Sequence, residues 1–124
     1  MNDSLITFIY VRDLKRSDSF YRETLGLTLA TEQPTCRIYR ITATAFLGIC
    51  VRQDPQEAGG VTITLVRDDV DEFCDLLQSR GVVLEHPPAH NERFNIYHAF
   101  FRDPDGYLIE IQRFDDPNWA GSAT

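Results

Sequence analysis

An internal repeat limits what this chain can fold into more than any other feature. Val11-Arg12-Asp13 recurs as Val66-Arg67-Asp68, and Gly26 recurs at the same offset as Gly81. Leu27-Thr28-Leu29 has a counterpart in Val82-Val83-Leu84. Each half reads as a strand, a helix and then further strands. In the first half, Leu5 to Arg12 is rich in Ile, Phe, Tyr and Val and reads as a strand. Asp13 can cap a helix from about Leu14 to Leu25, and Gly26 suits its left-handed stop. Strands are expected near 27–33, 36–42 and 45–52. In the second half, Val61 to Arg67 reads as a strand. Asp69-Val70-Asp71-Glu72 resembles a capping box for a helix running to about Arg80 and stopping at Gly81. Strands are expected near 82–86, 96–102 and 107–113. The order is βαβββ twice, an α+β chain of two curved mixed sheets forming a cup, with a helix on the outer face of each.

The segment from Asp54 to Gly60, with Pro55 and Gly59-Gly60, reads as the joint between modules of about 4–53 and 60–114. Residues 115–124 form a polar tail broken by Trp119, which could dock on a partner subunit or cap the sheet. At 124 residues the chain amounts to a single domain.

The last strand carries the sharpest chemical signal. Asp103-Pro104-Asp105-Gly106 is a turn sequence, with Pro presetting φ and Gly accepting the tight exit. Beyond it Tyr107, Ile109 and Ile111 alternate with Leu108, Glu110 and Gln112. Glu110 therefore sits on the inner face, where a carboxylate needs a metal, a hydrogen-bond network or a ligand.

The net charge of −7 argues against nucleic acid as a partner, because phosphate binding rests on clustered Lys and Arg. The apolar runs fall short of the roughly 20 residues that cross a bilayer, so no membrane association is expected. The start, Met1-Asn2-Asp3-Ser4, lacks the features of a secretory leader, and a cytoplasmic location is expected. The cysteines Cys36, Cys50 and Cys74 are odd in number and show no CxxC spacing, so neither a zinc site nor a disulfide framework is expected. Cys74 shares an apolar helix face with Val70, Phe73 and Leu77 and reads as a small buried hydrophobe. Nucleophile-elbow, zinc-protease and phosphate-loop motifs are absent.

Val11-Arg12-Asp13-Leu14 with Phe20-Tyr21 and Leu25-Gly26-Leu27, then Asp68-Asp69-Val70-Asp71, then Arg102 through Glu110, together resemble the vicinal oxygen chelate superfamily. This is the glyoxalase/bleomycin resistance/dioxygenase group. The resemblance implies a divalent ion held in the cup by His, Gln or Glu from the first and last strands of each module. On this chain those positions fall on Ile6, Gly48, Thr62 (or Val61 if the register slips by one) and Glu110. Ile6, Gly48 and Val61 offer no side-chain donor, and about three protein ligands are usual for a catalytic zinc. The usual metal site is therefore expected to be missing, with Glu110 a ligand only if the site has relocated.

Alternation places Thr62 and Thr64 on the cup side of their strand, and Ile6, Phe8 and Tyr10 on that of the first strand. His98, Phe100 and Arg102 alternate with Tyr97, Ala99 and Phe101. The resemblance implies ligand contacts at His98 and Phe100. The candidate catalytic residues are Glu110 and His98, and the candidate ligand-binding residues are Phe8, Tyr10, Thr62, Thr64, Phe100, Arg102 and Gln112. Glu110 has three readings: a structural carboxylate bonded to Thr62, Thr64, Gln112 or His98; a ligand-binding or acid/base group; or a metal ligand. Arg102 reads chiefly as an edge residue pairing with Asp103 or a neighbour. His86-Pro87-Pro88-Ala89-His90 cannot form the helix that would bring its histidines together, and the run through Asn95 reads as a loop or lid over the cup. Arg37, Tyr39 and Arg40 could meet an anion, with solvated edge charges the default.

The expected function is binding of a small molecule, or metal-independent chemistry upon it, with no cofactor. The alternative is a divalent-metal lyase of the lactoylglutathione lyase kind, or a ring-cleaving dioxygenase, using relocated ligands such as Glu110, His98 and either His86 or His90. Whether the chain is an enzyme stays open at this point. The resemblance also implies a homodimer.

Overall fold

The structure is a computed structural model that describes residues 3–53 and 59–119. The chain forms β1 (Leu5–Val11), α1 (Leu14–Ser19), β2 (Thr28–Glu32), β3 (Cys36–Arg40), β4 (Ala45–Val51), β5 (Thr62–Val66), α2 (Val70–Ser79), β6 (His86–Asn91), β7 (Ile96–Arg102) and β8 (Leu108–Phe114). This is the βαβββ order, twice over. The contacts divide into two compact units. The first takes the described residues before position 59 together with Pro104–Gly106, and the second takes Gly59–Asp103 and the described residues from Tyr107 on.

The first unit is a four-stranded sheet in the order β1-β4-β3-β2, with β1 parallel to β4 and the other pairs antiparallel. Asp13 caps α1 as expected: its carboxylate accepts from the Arg16 amide at 3.0 Å. The helix does not stay regular to Leu25. It relaxes into a π-helical turn over Phe20–Thr24 before Gly26 stops it at φ +76°. Ser17, Tyr21 and Leu25 form its buried stripe. The Asp103–Gly106 turn contributes more than a chain reversal. Asp105, its side chain only 2% exposed, accepts from Ser17 Oγ at 3.1 Å, the Arg12 amide at 3.2 Å and the Arg16 guanidinium at 3.3 Å. One carboxylate thus clamps the start of α1.

The second unit repeats the plan in the order β5-β8-β7-β6, with β5 parallel to β8. On α2, Val70, Phe73, Cys74 and Leu77 are buried, the i, i+3, i+4, i+7 pattern of an amphipathic helix. Each large apolar side chain so buried contributes about 1.5–3 kcal/mol. Burial pushes the Cys74 thiol up to about 11, as befits the inert hydrophobe expected there.

Several expectations are overturned. The capping box at Asp69 does not form, because the Asp69 carboxylate takes a two-pronged bond from Arg67 at 2.8 and 2.9 Å instead. The strand expected near 82–86 lies further on, as β6, and includes Pro87 and Pro88. Prolines are tolerated there because β6 is an edge strand and its register shifts between His86 and Ala89. The run read as a lid is therefore strand to Asn91, followed by a tight turn in which Asn95 takes φ +52°. Cys36 and Cys50 form a disulfide between direct partners of β3 and β4, contrary to the reading of the cysteine count. Spacing alone could not show it, since only the sheet register puts these residues opposite one another. Of the expected inter-module joint, positions 54–58 lie outside the described residues, as do positions 120–124 of the tail. Trp119 stacks on Phe114 of β8, with ring centroids 4.1 Å apart.

Among the described residues, no helix is long and apolar enough to cross a membrane.

Candidate functional site

The second sheet presents one polar face, and its register explains the grouping. Thr64, Glu110, Phe100 and His86 are successive partners in a row across β5, β8, β7 and β6. Gln112 and His98 are partners in the adjacent row. The expected alternation holds: Ile109 and Ile111 are fully buried on the opposite face, while Glu110 and Gln112 are 8% and 7% exposed on this one.

Glu110 is saturated by protein donors. Thr64 Oγ1 donates to Oε1 at 2.7 Å, and His98 Nδ1 donates to Oε2 at 2.6 Å. The Gln112 amide, oriented so that its nitrogen faces the carboxylate, reaches Oε2 at 2.7 Å and Oε1 at 3.2 Å. Three convergent donors match an ionised carboxylate, which only accepts. The same logic sets the His98 tautomer. With Nδ1–H given to Glu110, a neutral His98 carries its lone pair on Nε2. Thr62, which the sequence offered as another partner, makes no part of this network; it is exposed on the same strand.

Around the carboxylate lie rings. The His98 ring centroid is 4.9 Å from that of Phe100 and 6.1 Å from that of His86. His86 Nδ1 lies 2.9 Å from the Pro87 carbonyl oxygen, so this imidazole too keeps its Nε2 lone pair. His86 and Phe100, with Glu85, Arg102 and Leu108, line an open depression of about 300 Å³. Arg102 is an edge residue paired with a neighbour, as expected. It forks onto Glu85, with Nε to Oε2 at 2.7 Å and Nη2 to Oε1 at 3.2 Å, so it forms the rim with its charge already matched. The arginine holds the Glu85 carboxyl below its ordinary range, and Glu85 raises the guanidinium in turn. Glu85, His86 and Leu108 were missed as lining residues. With β6 misplaced in the sequence reading, nothing set Glu85 and His86 beside Arg102 and Phe100.

His90, considered for a metal pair with His86, instead meets Asp115 at 3.2 Å. Arg113 holds the Asp115 carboxyl low by a bond of 2.7 Å, with His90 adding to the effect.

In the first unit, Ile6, Phe8 and Tyr10 share a face with their β4 partners Phe46, Gly48 and Cys50. The Phe8 ring covers Gly48 so closely that a Cβ there would collide with it. The Arg52 guanidinium lies 3.6 Å from the Tyr10 ring centroid. Arg37, Tyr39 and Arg40 are committed to structure. Arg37 bonds the Gln33 and Cys36 carbonyls and pairs with Glu32, and Arg40 bonds the Ala43 carbonyl. Tyr39 is buried and donates to Asp18 at 2.6 Å. Burial, and then the carboxylate it donates to, push its phenol up.

The residues at the superfamily's metal positions do not fit an ion. Ile6 is hydrocarbon, Gly48 has no side chain and lies under Phe8, Thr62 offers only a neutral hydroxyl, and both Glu110 oxygens already accept protein bonds. Among the described residues, no three of His, Cys, Asp and Glu are placed to share a metal ion.

Residues 5–111 match the profile described as the Glyoxalase/Bleomycin resistance protein/Dioxygenase superfamily. The chain is 28% identical to a probable lactoylglutathione lyase of Vibrio cholerae, covering 86% of this chain and 87% of that one. It is 31% identical to a lactoylglutathione lyase of Haemophilus influenzae, over 86% and 89% of the two chains. Among solved structures, TnmS3, an antibiotic binding protein from Streptomyces sp. CB03234, superimposes with a TM-score of 0.77 at 27% identity, covering 93% and 98% of the two chains.

Proposed function

Because the chain belongs to the Glyoxalase/Bleomycin resistance protein/Dioxygenase superfamily, we propose that it binds a small organic molecule without the divalent ion its fold is often built around. The observation that carries this reading is the saturation of Glu110 by Thr64, His98 and Gln112. A carboxylate so engaged orients an imidazole; it is poorly disposed to ligate a metal. The proton acceptor in this reading is His98 Nε2, in the ring beside Phe100, and Glu110, the acceptor favoured from sequence, is the group that positions it. The ligand's apolar part rests against Phe100, His86 and Leu108 in the depression, and its acidic O–H or C–H is directed towards the neighbouring imidazole of His98. A depression of about 300 Å³ suits a small molecule. The description of TnmS3 as an antibiotic binding protein supports the binding reading. The names of the Vibrio and Haemophilus relatives raise a second reading, a lactoylglutathione lyase. It would need metal donors that Ile6, Gly48 and Thr62 do not supply.

The test is a thermal-shift screen of small aromatic and heteroaromatic acids against wild type, His98→Ala and Phe100→Ala, with and without chelator. A ligand at a hundredfold its Kd stabilises by about 2.7 kcal/mol. The shift should survive chelation and vanish in both variants, which should stay folded by circular dichroism. A shift that requires a stoichiometric divalent ion would sink the proposal.

A further inference from the structure

We propose that the Cys36–Cys50 pair is a reversible thiol-exchange site on the open face of the first sheet, and that an incoming small thiol is taken up on Cys50. The inference concerns the first unit and stands apart from the binding reading above.

The register supplies the first argument. Cys36 and Cys50 are direct partners across β3 and β4, with Cα atoms 4.2 Å apart, and Tyr10 is the partner of Cys50 on the other side. The bond therefore lies on the face that also carries Phe8, Tyr10 and Gly48. Both half-cystines are partly exposed, unlike Cys74, which is 1% exposed. A small thiol can reach them without the chain opening. The link also joins residues the sheet already holds together. β3 and β4 are in register from Cys36 opposite Cys50 to Arg40 opposite Phe46, so the hairpin persists when the bond is cut.

A second observation gives the exchange a direction. Thr35 Oγ1 lies 3.8 Å from Cys36 Sγ, and a disulfide sulfur can only accept, so the hydroxyl donates. A hydroxyl donating to Cys36 Sγ favours negative charge there, which makes Cys36 the better leaving group and Cys50 the sulfur attacked. In the first step a thiolate forms a bond to Cys50 Sγ. The Sγ–Sγ bond breaks, and its electron pair goes to Cys36 as thiolate. In the second step another thiolate attacks the adduct's outer sulfur and releases the small disulfide and the Cys50 thiolate. Overall, two thiols are oxidised to one disulfide, one cystine is reduced to two cysteines, and the protons of the two thiols pass to them. The mixed disulfide on Cys50 lies beside Tyr10 and the Arg52 guanidinium stacked on it, so the modification alters the chemistry of that face.

Reduced glutathione is the probe. Folded protein purified without reductant is exposed to graded concentrations, quenched with iodoacetamide under native conditions, and read by intact mass and peptide mapping. Before treatment, Cys36 and Cys50 should take no label. Afterwards both should, at a rate proportional to glutathione, with the trapped adduct on Cys50 several-fold over Cys36. Thr35→Val should bring that ratio towards parity, and Thr35→Ser should restore it. A rate independent of glutathione would mean that opening waits on unfolding and would overturn the proposal. Adduct predominantly on Cys36 would do the same, as would full labelling of both residues in protein equilibrated with oxidised glutathione. The wild-type kinetics decide the matter even if a variant fails to fold.

Discussion

Replacing Glu110 with Gln should invert the tautomer of His98 while leaving the protein folded. In the wild type, three donors converge on two carboxylate oxygens at 2.6–2.7 Å, with Glu110 8% exposed. Gln offers one acceptor and one donor in the same shape. Its carbonyl at the Oε1 position keeps the Thr64 bond. Its amide nitrogen then stands at the Oε2 position, 2.6 Å from His98 Nδ1, and two N–H groups cannot face each other there. The least costly repair moves the imidazole proton from Nδ1 to Nε2, and Gln112 turns its carbonyl inward. Every group remains bonded, but charge-assisted bonds become neutral ones. Hydrogen bonds to charged groups contribute about 1.5–3 kcal/mol and neutral ones about 0.5–1.5. Relief from burying a charge offsets part of that difference. The net loss should be about 1 kcal/mol, lowering Tm by about 3–6 °C for a chain of this length. Glu110→Ala, which leaves His98 and Gln112 donors unmatched and opens a void, should lose about 3–5 kcal/mol. Nitrogen-15 correlation spectra of the imidazoles read the tautomer directly: protonated Nδ1 in wild type, protonated Nε2 in the Gln variant. Ligand-induced stabilisation should disappear with the Nε2 lone pair. A wild-type spectrum with the proton on Nε2, or a Gln variant still protonated on Nδ1 and as stable as wild type, would refute the reasoning.

Two further outcomes follow from other parts of the fold. Asp105→Ala should destabilise by about 2–3 kcal/mol in urea titration, because it leaves the fully buried Ser17 hydroxyl without its acceptor and removes the clamp on Arg12 and Arg16; Asp105→Asn should recover part of the loss. Stability should also fall in alkali. Burial raises the Cys74 thiol from 9.0 to about 11 and raises the Tyr39 phenol as well, so the native state keeps protons that the unfolded chain releases. That contribution is complete below about pH 9 and declines as pH rises towards 11, visible as a falling urea midpoint; a midpoint flat to pH 11 would contradict it.

Local rules served the elements well where neighbours did not intervene. Asp13 as a cap, Gly26 and Gly81 as left-handed stops, and the α2 stripe of Val70, Phe73, Cys74 and Leu77 were all legible, because each depends on residues within a turn or two. The inward placement of Glu110 was legible too, since strand alternation has a fixed period of two. Local rules failed where a distant or competing partner decided the outcome. Arg67 drew Asp69 away from its capping role, and an edge position let Pro87 and Pro88 stand in a strand.

The amino-acid sequence by itself determined the doubled βαβββ order, the face on which Glu110 stands, and the absence of metal donors at Ile6 and Gly48. These follow from periodicity and residue chemistry, which need no third dimension. Tertiary structure alone decided which of the candidate partners reach Glu110. Register across β5, β8 and β7 brought Thr64, Gln112 and His98 to one carboxylate and left Thr62 outside the network. Register likewise joined Cys36 to Cys50 and set Arg102 against Glu85. Such pairings depend on how strands slide against one another, and that is set by the packing of the whole sheet; no single segment encodes it.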